Sequence, residues 1–185
     1  MIFPSLETER LLLTELDADD TAAIFNLFSK PAVVAFYDLD VFVEPAQASH
    51  LIGFFKTRYQ ELQGIRWAIR LKTTGQLIGT CGFNAWSSKM HNAVLGYDLL
   101  PEFWHQGYAA EAVYAALKAG FSGALHCGVL HRVQADTIPG NQASEALLRR
   151  LGFQEEGLRR GAGYWKNSFH DLKCFGLLRA EFLQH

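Results

Sequence analysis

The sequence predicts a single mixed α/β (α+β) domain, with a central, mostly antiparallel sheet, helices on both faces and one βαβ crossover. Three observations predict it. The 185 residues are 49% hydrophobic and 19% charged, enough for one sizeable core and too apolar for a disordered chain. Three strand-like runs follow one another between residues 66 and 100, joined by short turns, as in an antiparallel meander. The period then changes, and a long Ala-rich helical stretch leads into another strand, as in a crossover.

The elements can be justified in order. Residues 10–16, Arg-Leu-Leu-Leu-Thr-Glu-Leu, read as a first strand. The short acids between Asp17 and Asp20 signal a helix start, because they accept from free amides and favour the dipole. A helix follows over residues 22–28. Glu44-Pro45 opens a longer one, with Leu51, Phe54, Phe55, Tyr59 and Leu62 at helical spacing and Gly64 at its end. The meander takes residues 66–71, 76–86 and 93–100, with Lys72-Thr-Thr-Gly75 as a hairpin turn and Pro101 as the stop. Residues 107–121 form the Ala-rich helix, with Ala112, Ala115, Ala116 and Ala119 along one face. A strand over 132–138, a helix over 141–151 ended by Gly152, and closing strands over 153–159 and 171–178 complete the chain. Residues 159–168 read as a turn-rich connection.

Composition narrows the function. Lys and Arg number 17 and Asp and Glu 19, so 17 − 19 = −2. Neither sign dominates, and a nucleic acid partner is not expected. No run reaches the roughly 18 apolar residues of a membrane span, and the first ten residues lack the apolar core of a secretory signal. Cys81, Cys127 and Cys174 are far apart and show no CxxC spacing, so neither a disulfide framework nor a metal site is expected. Each reads as a small core residue. A cytoplasmic location fits all of this.

Two stretches carry chemistry. In Tyr97-Asp-Leu-Leu-Pro-Glu-Phe-Trp-His-Gln-Gly-Tyr-Ala-Ala-Glu-Ala112 a strand ends, Pro101 breaks it, and Gly107 stands where a helix begins. The free amides of a helix's first turn make an anion site, and glycine lets a ligand approach the backbone. In the stretch from His131 to Gly157 a strand ends at Pro139-Gly140, Asn141 caps the next helix, and Ser144 lies in its first turn. The alternative at each place is an ordinary helix start, with Asn141 and Ser144 serving only as caps.

Together the stretches resemble the GNAT N-acetyltransferases, in particular the ribosomal-protein amino-terminal (RimJ/RimL-like) branch. The acetyl-CoA motif Q/R-x-x-G-x-G/A is matched by Trp104-His-Gln-Gly107-Tyr-Ala109, with Trp104 in place of Gln or Arg and His105 in place of a common Gly. Trp at that position points toward the ribosomal branch. The second stretch resembles the branch's Asn-x-x-Ser-x-x-x-Leu-x-x-x-Gly-Phe pattern. Glu7-Thr-Glu-Arg-Leu-Leu-Leu13 resembles its opening, and Trp165-Lys-Asn-Ser-Phe-His-Asp171 its closing hairpin.

The resemblance implies acetyl transfer from acetyl-CoA, as cosubstrate, to a primary amine by direct attack on the thioester. It implies that Trp104, His105, Gln106, Gly107, Tyr108, Ala109 and Ala110 hold the cofactor's diphosphate. It further implies that the Leu99 backbone pairs with the pantetheine arm, that Asn141 contacts the cofactor or the Ser144 turn, and that Ser144 is the general acid. Many family members place a Tyr one turn later; here that position is Leu148, which cannot donate, so the role falls to Ser144. Some place a glutamate base in a late strand, where this chain has Gly163, leaving a water chain, His170 or Glu102. Asp171 is expected to fix the closing hairpin, and Phe83, Trp86 and Tyr164 to line an acceptor pocket. The branch implies a protein or peptide amino terminus as acceptor. A polyamine, an aminoglycoside or an amino-acid analogue stays open, as does a non-catalytic acyl-CoA binder of the same fold. Monomer and homodimer are both compatible.

Overall fold

The computed structural model describes residues 2–184. The strands, in chain order, are β1 (Leu6–Glu7), β2 (Leu11–Thr14), β3 (Ile65–Leu71), β4 (Leu77–Ser87), β5 (Asn92–Leu99), β6 (Arg132–Thr137), β7 (Gln154–Trp165) and β8 (Ser168–Leu178). The helices are α1 (Thr21–Phe28), α2 (Pro31–Val34), α3 (Pro45–Gln60), α4 (Tyr108–Ser122), α5 (Gln142–Arg150) and α6 (Arg179–Phe182). All eight strands form one sheet in the order β1-β2-β3-β4-β5-β6-β8-β7. Every neighbouring pair is antiparallel except β5 and β6, which are joined through α4 and run parallel. The mixed α/β class, the meander and the single crossover are therefore as predicted.

Alternation along the strands sends side chains to two cores. Trp67 and Ile69 of β3 pack with Phe83, Val113, Leu117 and Phe121. Ala68, between them, faces Ile24, Leu27, Phe28 and Ile52 from α1 and α3. Glu44 and Gln47 explain the start of α3, where the Gln47 side chain accepts from the Glu44 amide at 3.1 Å.

One prediction fails. The glycines of the 159–168 segment suggested a connection, yet strand β7 continues to Trp165. Pairing with β8 overrides local propensity, and the misfit is absorbed as a register shift between Arg159 and Gly163. The turn shrinks to Lys166-Asn167, whose φ values of 50° and 57° are those of a two-residue type I′ hairpin. Cys174 also departs from expectation. Cys81 and Cys127 are buried, and burial pushes their thiols up to about 12 and about 11. Cys174 is only half-buried, with its sulfur accepting from Arg159 Nε at 3.0 Å.

A buried polar cluster ties β3, β4 and β5 together. Arg66, 3% exposed, pairs with Asp98, 7% exposed. Its Nε donates to Thr80 Oγ1 at 2.7 Å and its Nη1 to Asn84 Oδ1 at 2.9 Å. Removing one partner strands the other charge in the core. Arg66→Met should therefore lower unfolding free energy by roughly 3–5 kcal/mol, read as a shift in urea midpoint at unchanged slope.

Candidate active site

Strands β5 and β6 pair only from Asn92 to Val94 and from Arg132 to Gln134. Beyond that they separate, and a cleft of about 250 Å³ opens between Gly96 and Tyr97 on one side and Ala135 and Thr137 on the other. The Leu100 amide donates to the Ile78 carbonyl on β4 at 2.8 Å. Because backbone groups alternate along a strand, those of Leu99 and Tyr97 turn away from β4 and toward the opening.

The loop after β5 is held from several directions. Trp104 Nε1 donates to the Leu99 carbonyl at 2.7 Å, and Gln106 Nε2 donates to the Glu102 carbonyl at 2.8 Å. His105 and Gly107 are left-handed, with φ of 60° and 82°. Such alternation of hand turns successive amides toward a common side, the geometry of an anion cradle. Helix α4 starts at Tyr108, so the first-turn amides of Tyr108, Ala109 and Ala110 have no helical partner.

Glu111 also lies in this first turn, but its carboxylate faces the N-terminal segment. It accepts from Thr8 Oγ1 at 2.6 Å, from the Arg10 amide at 2.8 Å and from Arg10 Nε at 2.7 Å. Burial opposes its ionisation, yet these hydrogen bonds win and hold the carboxyl below the usual glutamate range. Arg10 Nη1 donates onward to the Gln106 carbonyl at 3.0 Å, and the guanidinium lies 4.2 Å from the Tyr108 ring centroid. Thr8 and Arg10 thus brace the loop and the start of α4, a role that sequence reading missed.

On the far wall, the Asn141 side chain caps α5 by accepting from the Ser144 amide at 3.2 Å. Ser144 reaches the cleft, and its hydroxyl meets the Tyr97 hydroxyl at 2.5 Å. Burial pushes the Tyr97 phenol up to about 12, opposed by the Ser144 hydrogen bond, so it stays protonated at neutral pH. Leu148 is fully buried beneath. Thr137 is 5% exposed, and its hydroxyl finds no hydrogen-bond partner among the described residues. An orphan hydroxyl in the wall of a cleft is what a bound polar chain satisfies.

The remaining expectations fare unevenly. Phe83 lines a second groove beside the cleft, whereas Tyr164 is 61% exposed and packs on Phe169. Trp86 lines neither cavity and donates to the Leu62 carbonyl. Asp171 accepts from the Gly161 amide at 2.7 Å, as a hairpin brace should. His170 stacks on Trp165 with centroids 4.3 Å apart and contacts the Trp165 carbonyl at 3.2 Å. The Trp165 indole also fills the space above Gly163, where a Cβ would come within 2.0 Å of it. No cluster of three or more metal-ligating side chains is found among the described residues. No helix among them is long and apolar enough to cross a membrane.

Comparison with known proteins gives the family and the fold. A family model described as the acetyltransferase (GNAT) domain matches residues 10–154. The chain is 38% identical over 178 residues to the uncharacterized N-acetyltransferase YoaA of Bacillus subtilis, covering 96% of this chain and 98% of that one. A GNAT-family acetyltransferase from Bacillus anthracis superposes with a TM-score of 0.84 at 23% identity, over 96% of this chain and 100% of the other. The ribosomal L7/L12 alpha-N-protein acetyltransferase RimL, solved with coenzyme A, superposes with a TM-score of 0.81 at 22% identity, over 95% and 98%. At these identities the two structures show the fold.

Proposed function

The chain belongs to the GNAT acetyltransferase family, and from that premise we propose how its own residues perform acetyl transfer to a primary amine. Residues 1–185 act as one N-acetyltransferase domain. The single observation that carries the proposal is the β5–β6 cleft with a pair of hydroxyls inside it, on the strand that leads through the loop of residues 100–107 into α4. Acetyl-CoA supplies the activated acetyl group as a thioester. The amides from His105 to Ala110 hold its diphosphate, and Arg10, paired with Glu111, steadies that loop. The Leu99 amide meets the pantetheine arm, while the Leu99 carbonyl is already engaged by Trp104. Trp104 therefore acts by shaping the loop. Thr137 offers a further buried hydroxyl to the same arm.

Proton transfer falls to Ser144 and Tyr97. The attacking amine forms a C–N bond, the C–S bond breaks, and the departing sulfur needs a proton. Ser144 supplies it and regains a proton from solvent, which also takes up the proton that the amine nitrogen loses, while the Tyr97 phenol, in contact with the Ser144 hydroxyl, stabilises the charge left there. Asn141 fixes the turn that carries Ser144. The acceptor must arrive neutral. Its rate should climb from pH 6 toward pH 8 for an amino terminus of pKa ~7.7–8.0. Tyr97 does not lose its proton until about 12, so the profile should show no fall below about pH 10. A descending limb under pH 9 would remove Tyr97 from this role.

The acceptor class the fold relatives favour is a protein or peptide amino terminus, since RimL is an alpha-N-protein acetyltransferase. The test is twofold. CoA at ~100 times its dissociation constant should add about 2.7 kcal/mol to stability, seen as a raised melting temperature. A screen of amines with acetyl-CoA should release free thiol with at least one of them. A thermal shift with no thiol release from any amine would favour the non-catalytic acyl-CoA binder, for which Leu148 and Gly163 are the supporting residues.

A further inference from the structure

A second groove, of about 470 Å³, opens beside the cleft. Its walls are apolar: Leu51, Phe54 and Phe55 from α3, Phe83 from β4 and Leu39 from the segment after α2. Arg58 of α3 and Arg66 of β3 also line it. Tyr37, Asp38 and Asn84 line both the groove and the β5–β6 cleft, so the two cavities share that boundary.

The chemistry at the boundary is directional. Asn84 is the extra residue of a bulge on β4, since Phe83 pairs with Leu95 and Ala85 with Val94. Bulges re-aim a side chain out of the ladder. Arg66 Nη1 holds Asn84 Oδ1, which fixes the amide and leaves Nδ2 as its free donor among the described residues. Arg66 Nη2 also donates to the Tyr37 hydroxyl at 3.2 Å, and burial pushes that phenol up to about 12, so it too remains neutral. Asp38 is exposed and makes no ion pair among the described residues. A carboxylate, an amide donor and a neutral phenol therefore stand between an apolar groove and the place where acetyl transfer occurs. A groove of this volume with few convergent polar groups is a small-ligand site.

We propose that this groove is the acceptor's side-chain subsite, and that the acceptor is an α-amine whose neighbouring side chain is large and apolar or aromatic. The inference rests on the acetyl-transfer reading above. The side chain lies along Phe54 and Phe55, Asn84 Nδ2 donates to the carbonyl on the amine-bearing carbon, and Asp38 attracts the ammonium before it loses its proton. A polyamine has nothing to place among the phenylalanines. A free amino-acid amide and a peptide amino terminus share the chemistry.

The test measures kcat/KM by thiol release for peptides beginning with Phe, Leu or Gly, for phenylalaninamide and for spermidine. The Phe and Leu acceptors should exceed the Gly peptide by roughly 10–100-fold, the scale of burying one such side chain. Preference for the peptide over phenylalaninamide identifies a protein terminus, and the reverse a small molecule; either supports the subsite. Leu51→Trp, which fills the groove, and Phe54→Ala, at a position 53% exposed and safe for folding, should each move the Phe:Gly ratio toward unity. A Gly peptide or spermidine used as well as the Phe peptide would overturn the subsite, as would a ratio unmoved in both variants. Calorimetric titration with CoA separates the two claims. CoA binding without apolar preference sinks the groove alone, and absent CoA binding sinks the acetyl-transfer reading. Titration of phenylalaninamide into the parent and into Leu51→Trp tests the groove without turnover. Saturable binding lost in the variant supports it, and no binding to the parent overturns it.

Discussion

Gly107→Val should lower CoA affinity at least ~100-fold while leaving the fold in place. Gly107 has a φ of 82°, where a residue with a Cβ costs roughly 1–2 kcal/mol. A Cβ there would also sit 3.3 Å from Arg10 Nη2, against the group that braces the loop. The chain can relieve both by shifting the loop, but then the amides from His105 to Ala110 no longer converge on one anion. Stability falls only by the strain, a few degrees in Tm for a chain of this size. Gly75→Val is the matched control, with a φ of 73° and open space around the added carbon, far along the chain in the β3–β4 turn. It should show the same loss of Tm and no loss of affinity. Calorimetric titration and a thermal melt of both variants decide it, and a Gly107→Val protein that binds CoA like the parent makes the loop a plain helix start.

Ser144→Ala and Tyr97→Phe should each cost turnover about 100-fold and spare CoA affinity. A positioned acid contributes roughly 10²–10⁴-fold, and CoA thiolate is already a fair leaving group, so the low end applies. The two hydroxyls are in direct contact and act as one unit. The double variant should therefore be no slower than the slower single one, because groups in contact are not additive. Placing a Tyr at Leu148, where other family members carry one, should not rescue the rate. Leu148 is fully buried where it lines the cleft, and a ring there crowds the opening beside Tyr97 and Ser144. The phenol reaches the cleft from β5 instead. A Ser144→Ala enzyme with unchanged turnover would reduce Ser144 to part of the helix cap.

Much of this architecture was legible in the residue pattern because its determinants are local. The meander follows from alternation and the Lys72-Thr-Thr-Gly75 turn, and the start of α4 from a glycine between a strand and an Ala-rich stretch. What escaped depends on distant partners. Tyr97 and Ser144 lie 47 residues apart, and no local signal joins them. Arg66 reads as an ordinary strand arginine, and only the stacking of β3, β4 and β5 shows that it is buried against Asp98 and turned toward Asn84 and Tyr37. Residues 159–168 were read as a turn-rich connection because their glycines have low strand propensity, a preference overridden by eleven residues of β8. Phe54 and Phe55 stand at helical spacing in the sequence, which does not show that Phe54 is half-exposed and lines a groove.

The central claim is that CoA lies along the splayed edge of β5 with its diphosphate on the start of α4. Amide hydrogen exchange with and without saturating CoA tests it most directly. The account predicts slowed exchange at Leu99 and from His105 to Ala110, with the β7–β8 hairpin unchanged. Tight CoA binding that leaves those amides exchanging as in the free protein would contradict it.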